Sequence, residues 1–254
     1  MIIKLFSFFI TRLREEAFKE TLVSKILSFI FLSSLVGRVV FKLSMQVKIL
    51  SLRRGLWSQR AIEYPWVLEQ VKRLKHNALV LDVGCAESLL SHELVAKGFR
   101  VVGLDIRDYP FKNKRVYFVK RNVLNTGLPD EVFDAILVVS TIEHIGLSVY
   151  GQLTLDDEGD VKAMKELHRI LKPKGIIITT PYIGNNPFRV TLTERHYNSM
   201  RLQRLVEGFK ILEESYFYPR RSDKKLSWIK MNRKEIDGQI FIETGLACLV
   251  LMKP

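Results

Sequence analysis

The chain has 254 residues, enough for one large domain or for a domain with an appendage. Its composition, 47% hydrophobic and 26% charged, is globular and excludes a disordered or fibrous protein. Two cysteines, Cys85 and Cys248, cannot build a disulfide framework and lack metal-ligand spacing, which points to a reducing compartment. The formal charge of +13 is unevenly placed: residues 1–60 hold 11 Lys+Arg against 3 Asp+Glu, a net +8, and the rest hold 29 against 24, a net +5.

Residues 1–60 form a basic, apolar, helical N-terminal segment ahead of a main domain at 61–254. Apolar patches (Leu5–Ile10, Ile26–Val36, Val39–Phe41) are punctuated by Lys4, Arg12, Arg14, Lys19, Lys25, Arg38, Lys42 and Lys48. The longest uncharged run, Ile26–Gly37, is 12 residues, short of the roughly 18–20 that cross a bilayer. A secretory signal also fits poorly, because Arg12 and Arg14 interrupt the first apolar patch. The pattern suits helices lying in a membrane interface, with residues 1–50 as a peripheral contact for a cytoplasmic protein. The competing reading is a helical appendage packed on the main domain or on a second copy in an oligomer. The segment is too apolar for a solvated nucleic-acid arm.

From residue 61 strands alternate with helices. Tyr64-Pro65-Trp66 opens a helix running to about Lys75, with Pro65 expected near its first turn. Ala78–Val83 is a short apolar run ending at Gly84, a strand buried on both faces. A helix follows at Ser88–Lys97, then strands at Arg100–Leu104, Val116–Lys120 and Phe133–Val139. Asp160–Leu171 is an amphipathic helix, Ile176–Thr180 a fifth strand, and Glu194–Glu207 another helix. Strands around Phe209–Tyr216 and Gly238–Met252 complete the chain. Strands separated by helices predict a doubly wound α/β domain with a mainly parallel sheet.

In such sheets ligands sit beyond the carboxyl ends of the strands, where strand order reverses. Gly84, after the first strand, permits a tight turn and close approach of a ligand. Asp105, 23 residues beyond Asp82 at the tip of the second strand, can accept both hydroxyls of a ribose. Gly84-Cys85-Ala86-Glu87-Ser88-Leu89 lacks the glycines of a dinucleotide fingerprint. Taken together, Val80-Leu81-Asp82-Val83-Gly84-Cys85, Val102-Gly103-Leu104-Asp105, Leu128-Pro129, Phe133-Asp134-Ala135-Ile136 and Leu171-Lys172-Pro173-Lys174-Gly175 resemble the class I S-adenosylmethionine-dependent methyltransferases, of the type 11-like kind. The resemblance spans about residues 61–252. It implies a seven-stranded, Rossmann-like sheet with an antiparallel last strand, and S-adenosylmethionine as cofactor.

Carried over by position, the resemblance puts Asp82, Gly84, Cys85 and Ala86 against the methionine part of the cofactor and Asp105 with Ile106 at the ribose. It puts Asn122 and Val123 at the adenine and Ser140 beside the sulfonium. Ala86 and Ser88 stand where the family usually has glycines, and a Cβ at Ala86 is costly if φ must be positive there.

The loop Thr141-Ile142-Glu143-His144-Ile145-Gly146, followed by Tyr150-Gly151 and Asp156-Asp157-Glu158-Gly159-Asp160, is similar to a smaller methyltransferase-like group of unknown function. An imidazole titrates near neutrality, so His144 is the candidate general base, with Glu143 orienting it or the substrate. The alternative is that His144 only ties the loop to backbone. The acids at 156–160 could surround a divalent cation with Glu143 and His144, but Asp157 or Asp160 as a cap of the following helix is the reading adopted, with no metal. Tyr182 lies in a segment able to cover an acceptor, and Arg195 either anchors an anionic acceptor or faces solvent. Arg220–Lys230, with Trp228 interleaved, reads as a basic surface loop able to meet phosphate.

The expected activity is methyl transfer to a small-molecule, glycan or lipid-linked acceptor, on oxygen, at the cytoplasmic membrane surface. An RNA methyltransferase and a catalytically inactive binding module are the alternatives.

Overall fold

A computed structural model of the chain describes residues 59–254 apart from 112, 151–154, 185–187, 223–224, 234 and 236–243. The N-terminal segment and its expected membrane or packing role lie outside the described residues, as do Gly151 and residues 185–187 of the segment expected to cover an acceptor.

Strands β1 (Leu79–Val83), β2 (Arg100–Asp105), β3 (Val116–Lys120), β4 (Phe133–Val138) and β5 (Leu171–Thr179) are mutually parallel in the order β5-β4-β1-β2-β3. The order reverses between β1 and β4. Beyond β5 the chain adds β11 (Gly245–Met252), β9 (Lys210–Ser222) and β10 (Lys225–Met231), each antiparallel to its neighbour. The short β6 (Tyr182–Ile183) pairs with β11, making nine strands among the described residues. β7 (Arg189–Val190) and β8 (Arg195–His196) form a separate ribbon.

The expected antiparallel last strand is present as β11. Two strands exceed the expected seven. β10 occupies much of the basic run anticipated as a loop: Trp228 pairs with Pro219 and packs on the Tyr182–Leu246–Cys248 cluster rather than standing in solvent.

Because successive strand residues point to opposite faces, each buried strand feeds two cores. Leu81, Ile136, Val138, Ile177 and Leu249 meet Met164, Leu167 and Ile170 of helix α3 (Gly159–Ile170) on one face. Val80, Ala135, Leu137, Ile178 and Val250 meet Val67 of α1 (Arg60–Gln70) and Leu90 and Leu94 of α2 (Leu90–Ala96) on the other. Helices on both faces leave only the strand ends for chemistry.

Two helices differ from expectation. α1 starts at Arg60, so Pro65 falls inside it rather than in the first turn, and the bond to the carbonyl of Ala61 is lost. The helix expected from Glu194 begins only at Ser199, as α4 (Ser199–Leu205), because Arg195 and His196 are taken by β8 and the side chain of Asn198 caps the amide of Arg201 at 2.9 Å. Among the described residues no helix is long and apolar enough to cross a membrane.

Candidate active site

The parallel topology gathers the loops after β1, β2, β3 and β4 along one edge of the sheet. In the first, Asp82 is buried within β1 and accepts the Ser91 hydroxyl at 2.6 Å. Burial pushes its carboxyl up to about 6, against the Ser91 hydrogen bond that favours the charged form. Gly84 has φ +78°, and a Cβ there would lie 2.4 Å from Thr141 Oγ1, so both conformation and space demand glycine. The turn Cys85–Glu87 stays out of the left-handed region, which removes the anticipated cost of Ala86. Ala86 N–H donates to Asp105 Oδ2 at 3.0 Å, and Ser88 Oγ accepts the amide of Leu90 at the start of α2. The Cys85 thiol is packed inward against Gly103, so this side chain serves the interior rather than the loop.

At the tip of β2, Asp105 is 6% exposed. Arg107 holds it through its amide (2.9 Å), Nε (3.1 Å) and Nη2 (3.2 Å). Ile106, between them, is half-buried. After β3, Asn122 is exposed and turns its Oδ1 to the amide of Leu124 at 2.9 Å, while Val123 is buried in the main core cluster.

Ser140 follows β4 with φ +43°, a strained conformation for a residue with a Cβ. Its amide donates to Thr180 Oγ1 at 3.0 Å and its hydroxyl to Glu63 Oε1. Glu63 is completely buried, also accepts Thr180 Oγ1 at 2.6 Å, and pairs with Arg60 at 3.2 Å. Sequence reasoning passed over Arg60 and Glu63. The available signal was a carboxylate on the buried stripe Glu63–Val67–Gln70 of α1.

Glu143 is completely buried and, among the described residues, neither carboxylate oxygen has a hydrogen-bond partner. Burial raises its pKa well above the carboxylate range, and Glu63 and Glu194 add to this by repulsion. His144 Nε2 lies 3.9 Å from Glu143 Oε1, and Nδ1 is 2.5 Å from the carbonyl of Thr193. A carbonyl only accepts, so this contact assigns a proton to Nδ1 and leaves Nε2 on the Glu143 side. The rings of Tyr150 and Tyr182 meet the imidazole edge-on, at 5.4 and 6.1 Å.

The rest of this loop is a clamp. Gly146, at φ +81°, and Gly159 approach so closely that a Cβ on either would strike the other's Cα. Arg195 is fully buried and donates to the carbonyls of Ile145 and Asp156, the latter at 2.8 Å. It does not face solvent, and its Nη1 and Nη2 donors fasten the loop. Asp160, expected as a cap or a cation ligand, instead accepts Tyr197 and Arg201 in the interior. Asp156 Oδ1 takes the amide of Glu158, and Asp157 is exposed. Among the described residues no three His, Cys, Asp or Glu side chains are grouped to hold a metal.

The edge therefore brings together the Asp105 carboxylate, held by Arg107 and the Ala86 amide, and the buried Glu143 carboxyl, acceptor groups suited to a ligand bearing hydroxyls. Residues 81–179 match the model of the methyltransferase domain family. Over those residues the chain carries a methyltransferase domain. The methyltransferase is similar in fold to the 1,6-didemethyltoxoflavin-N1-methyltransferase of Burkholderia thailandensis, solved with S-adenosylhomocysteine (16% identity, TM-score 0.56, covering 85% of this chain and 89% of that one). It is also similar to the N-methyltransferase NodS of Bradyrhizobium japonicum, again with S-adenosylhomocysteine (12% identity, TM-score 0.51, 77% and 87%). The [4+2]-cyclase SpnF shares the fold as well (17% identity, TM-score 0.54, 77% and 82%). At these identities the likeness establishes the common architecture. No curated protein matches the methyltransferase significantly.

Proposed function

We propose that the methyltransferase moves a methyl group to oxygen of a small-molecule acceptor, with His144 as general base. The observation that supports this most directly is the setting of His144, held through Nδ1 by Thr193 with Nε2 facing the buried carboxyl of Glu143. A hydroxyl is a weak nucleophile until its proton is removed, whereas a neutral amine attacks with its lone pair. A positioned imidazole beside a carboxyl is therefore of most use to an oxygen acceptor.

S-adenosylmethionine supplies an electrophilic methyl on a sulfonium. In this reading Asp105 takes the ribose hydroxyls, with Ile106 beside it. Asp82, Gly84 and the Cys85-Ala86 backbone line the methionine end, Asn122 and Val123 the adenine end, and Ser140 the sulfonium. Glu63, which accepts the Ser140 hydroxyl and pairs with Arg60, would stand behind that end of the site. Glu143 orients His144 and stabilises the imidazolium formed when the acceptor's proton arrives. Tyr182 borders the acceptor. A glycan or lipid-linked acceptor at the cytoplasmic membrane surface accounts for the apolar, basic segment 1–50, and that part of the proposal rests on its sequence.

The test is calorimetric titration with S-adenosylhomocysteine, followed by transfer of labelled methyl to a panel of hydroxyl acceptors. The parent is expected to bind at micromolar Kd and Asp105→Ala at least tenfold more weakly, about 1.4 kcal/mol. His144→Asn should retain binding and lose turnover. Equal affinity in parent and Asp105→Ala removes the ribose anchor, and full turnover in His144→Asn removes the base. For the membrane arm, deleting residues 1–50 should abolish flotation with anionic liposomes.

A further inference from the structure

The carboxylate of Asp105 is already saturated. Oδ1 accepts Arg107 N at 2.9 Å and Arg107 Nε at 3.1 Å, and Oδ2 accepts Ala86 N at 3.0 Å and Arg107 Nη2 at 3.2 Å. An ionised carboxylate has about four acceptor positions, so none is left. Two of these bonds come from the main chain and belong to the loop itself. The other two come from the Arg107 guanidinium, and a ribose brings two vicinal hydroxyls.

We propose that Arg107 is a positioning residue whose guanidinium stands in for the ribose hydroxyls on Asp105, and whose displacement by the cofactor acts on the acceptor loop through Tyr150. The inference rests on the assignment of Asp105 as ribose anchor. The stand-in has a physical reason: a carboxylate this deeply buried is costly without a partner, and a planar fork of N–H donors matches its two oxygens. The guanidinium also has other holds to keep it in place. Nη1 pairs with Glu87, and the group lies 4.4 Å above the ring of Tyr150. The ring of Tyr150 in turn meets the His144 imidazole edge-on at 5.4 Å. One side chain thus touches the cofactor anchor at one end and the neighbour of the candidate base at the other. When the ribose takes Asp105, the guanidinium is left to Glu87 and Tyr150, and the packing beside His144 changes with it. Neither Arg107 nor this relay is visible in the motif pattern.

An internal competitor lowers apparent affinity by the fraction of molecules in which it is seated, so its removal tightens binding. S-adenosylhomocysteine is the probe, because its sulfur is uncharged and a change in affinity does not report simple repulsion between a sulfonium and Arg107. Calorimetry on the full chain should show Arg107→Ala binding at least threefold tighter than the parent. Arg107→Lys, which keeps the charge but not the fork or the stacking, should fall between them. Hydrogen exchange should show protection of residues 142–150 changing on ligand addition in the parent, and changing less than half as much in Arg107→Ala. Unchanged or weaker binding by Arg107→Ala, with Asp105→Ala still weakened tenfold, overturns the inference alone. Unaltered binding by Asp105→Ala overturns the ribose anchor and the inference with it. A purely structural Arg107 would give weaker binding together with a lower melting temperature.

Discussion

The hydroxyl of Tyr197 donates to Asp160 Oδ2 at 3.0 Å in the interior, joining the segment after β8 to the first turn of α3. Asp160 also holds Arg201, through Nε at 3.2 Å and through Nη2, and its Oδ1 lies 3.9 Å from Nε of the buried Arg195. One carboxylate therefore faces two buried guanidinium groups, with Glu158 as a second partner of Arg201. Asp160→Ala should destabilise the fold by about 3–5 kcal/mol, because it leaves buried charge uncompensated. Asp160→Asn, which keeps the shape, should cost less than Asp160→Ala. Urea unfolding of the three chains checks the order, and a loss below about 1 kcal/mol in Asp160→Ala contradicts it.

The close approach of Gly146 and Gly159 gives a second prediction. A Cβ at Gly146 would sit 2.4 Å from the carbonyl of Asp156 at a φ of +81°, and one at Gly159 would sit 2.7 Å from the Cα of Gly146. Backbone on both sides leaves no room for rotamer adjustment. Gly146→Ala should lose more than about 1 kcal/mol and turnover should fall further than stability, since the shifted loop carries Glu143 and His144. Thermal unfolding read beside S-adenosylhomocysteine affinity separates the two effects: affinity should hold, because the proposed ribose anchor, Asp105, is on another loop.

Asp82 makes stability depend on pH in the opposite sense to an ion-paired acid. Its pKa is raised from 3.8 to about 6 by burial. Below 3.8 the folded and unfolded chains are both protonated and the group contributes nothing. As pH rises through the window from 3.8 to about 6 the unfolded chain ionises first, so stability is lost, by at most about 3 kcal/mol above the window. Asp82→Asn, which can still accept the Ser91 hydroxyl, should therefore melt higher than the parent at pH 8, and the gap should close towards pH 4. A gap that widens on acidification would reverse the assignment.

The role proposed for Glu143 implies a cost in stability. A buried carboxyl with no hydrogen-bond partner is destabilising, and Glu143→Met fills the space without a polar group. The variant should be more stable than the parent by about 1 kcal/mol or more at pH 8 while turnover is lost. Differential scanning calorimetry decides it: a lower melting temperature would mean that Glu143 is held by its surroundings better than its geometry indicates.

Hydrophobic periodicity was enough to place β1 to β5 and the helices between them, because a strand buried on both faces must be a short apolar run and the covering helices must be amphipathic. The strand-end positions of Gly84, Asp105 and Ser140 followed from the same pattern, since a parallel sheet has one functional edge. Local signals failed where long-range pairing decides. Leu226 to Met231 is strand only because β9 lies beside it, and Arg195-His196 is strand only because β7 does. The pattern EHIG followed by GD was legible as a motif but not as two parts. Its glycines and Asp160 are a packing device, and Glu143 and His144 are the residues to which the proposed function gives chemistry.

What the chain order by itself determined is the doubly wound architecture, the sheet edge that gathers the strand-end loops and the carboxylate at the tip of β2, because these depend on residue period and on strand ends. Tertiary structure alone decided the partners. Glu63 reaches Ser140 and Thr180 across 77 and 117 residues, and Arg195 turns its guanidinium inward to carbonyls 50 and 39 residues away. Whether an arginine meets solvent, a ligand or the protein's own backbone depends on which donors and acceptors folding brings within about 3 Å, and no spacing along the chain encodes that distance.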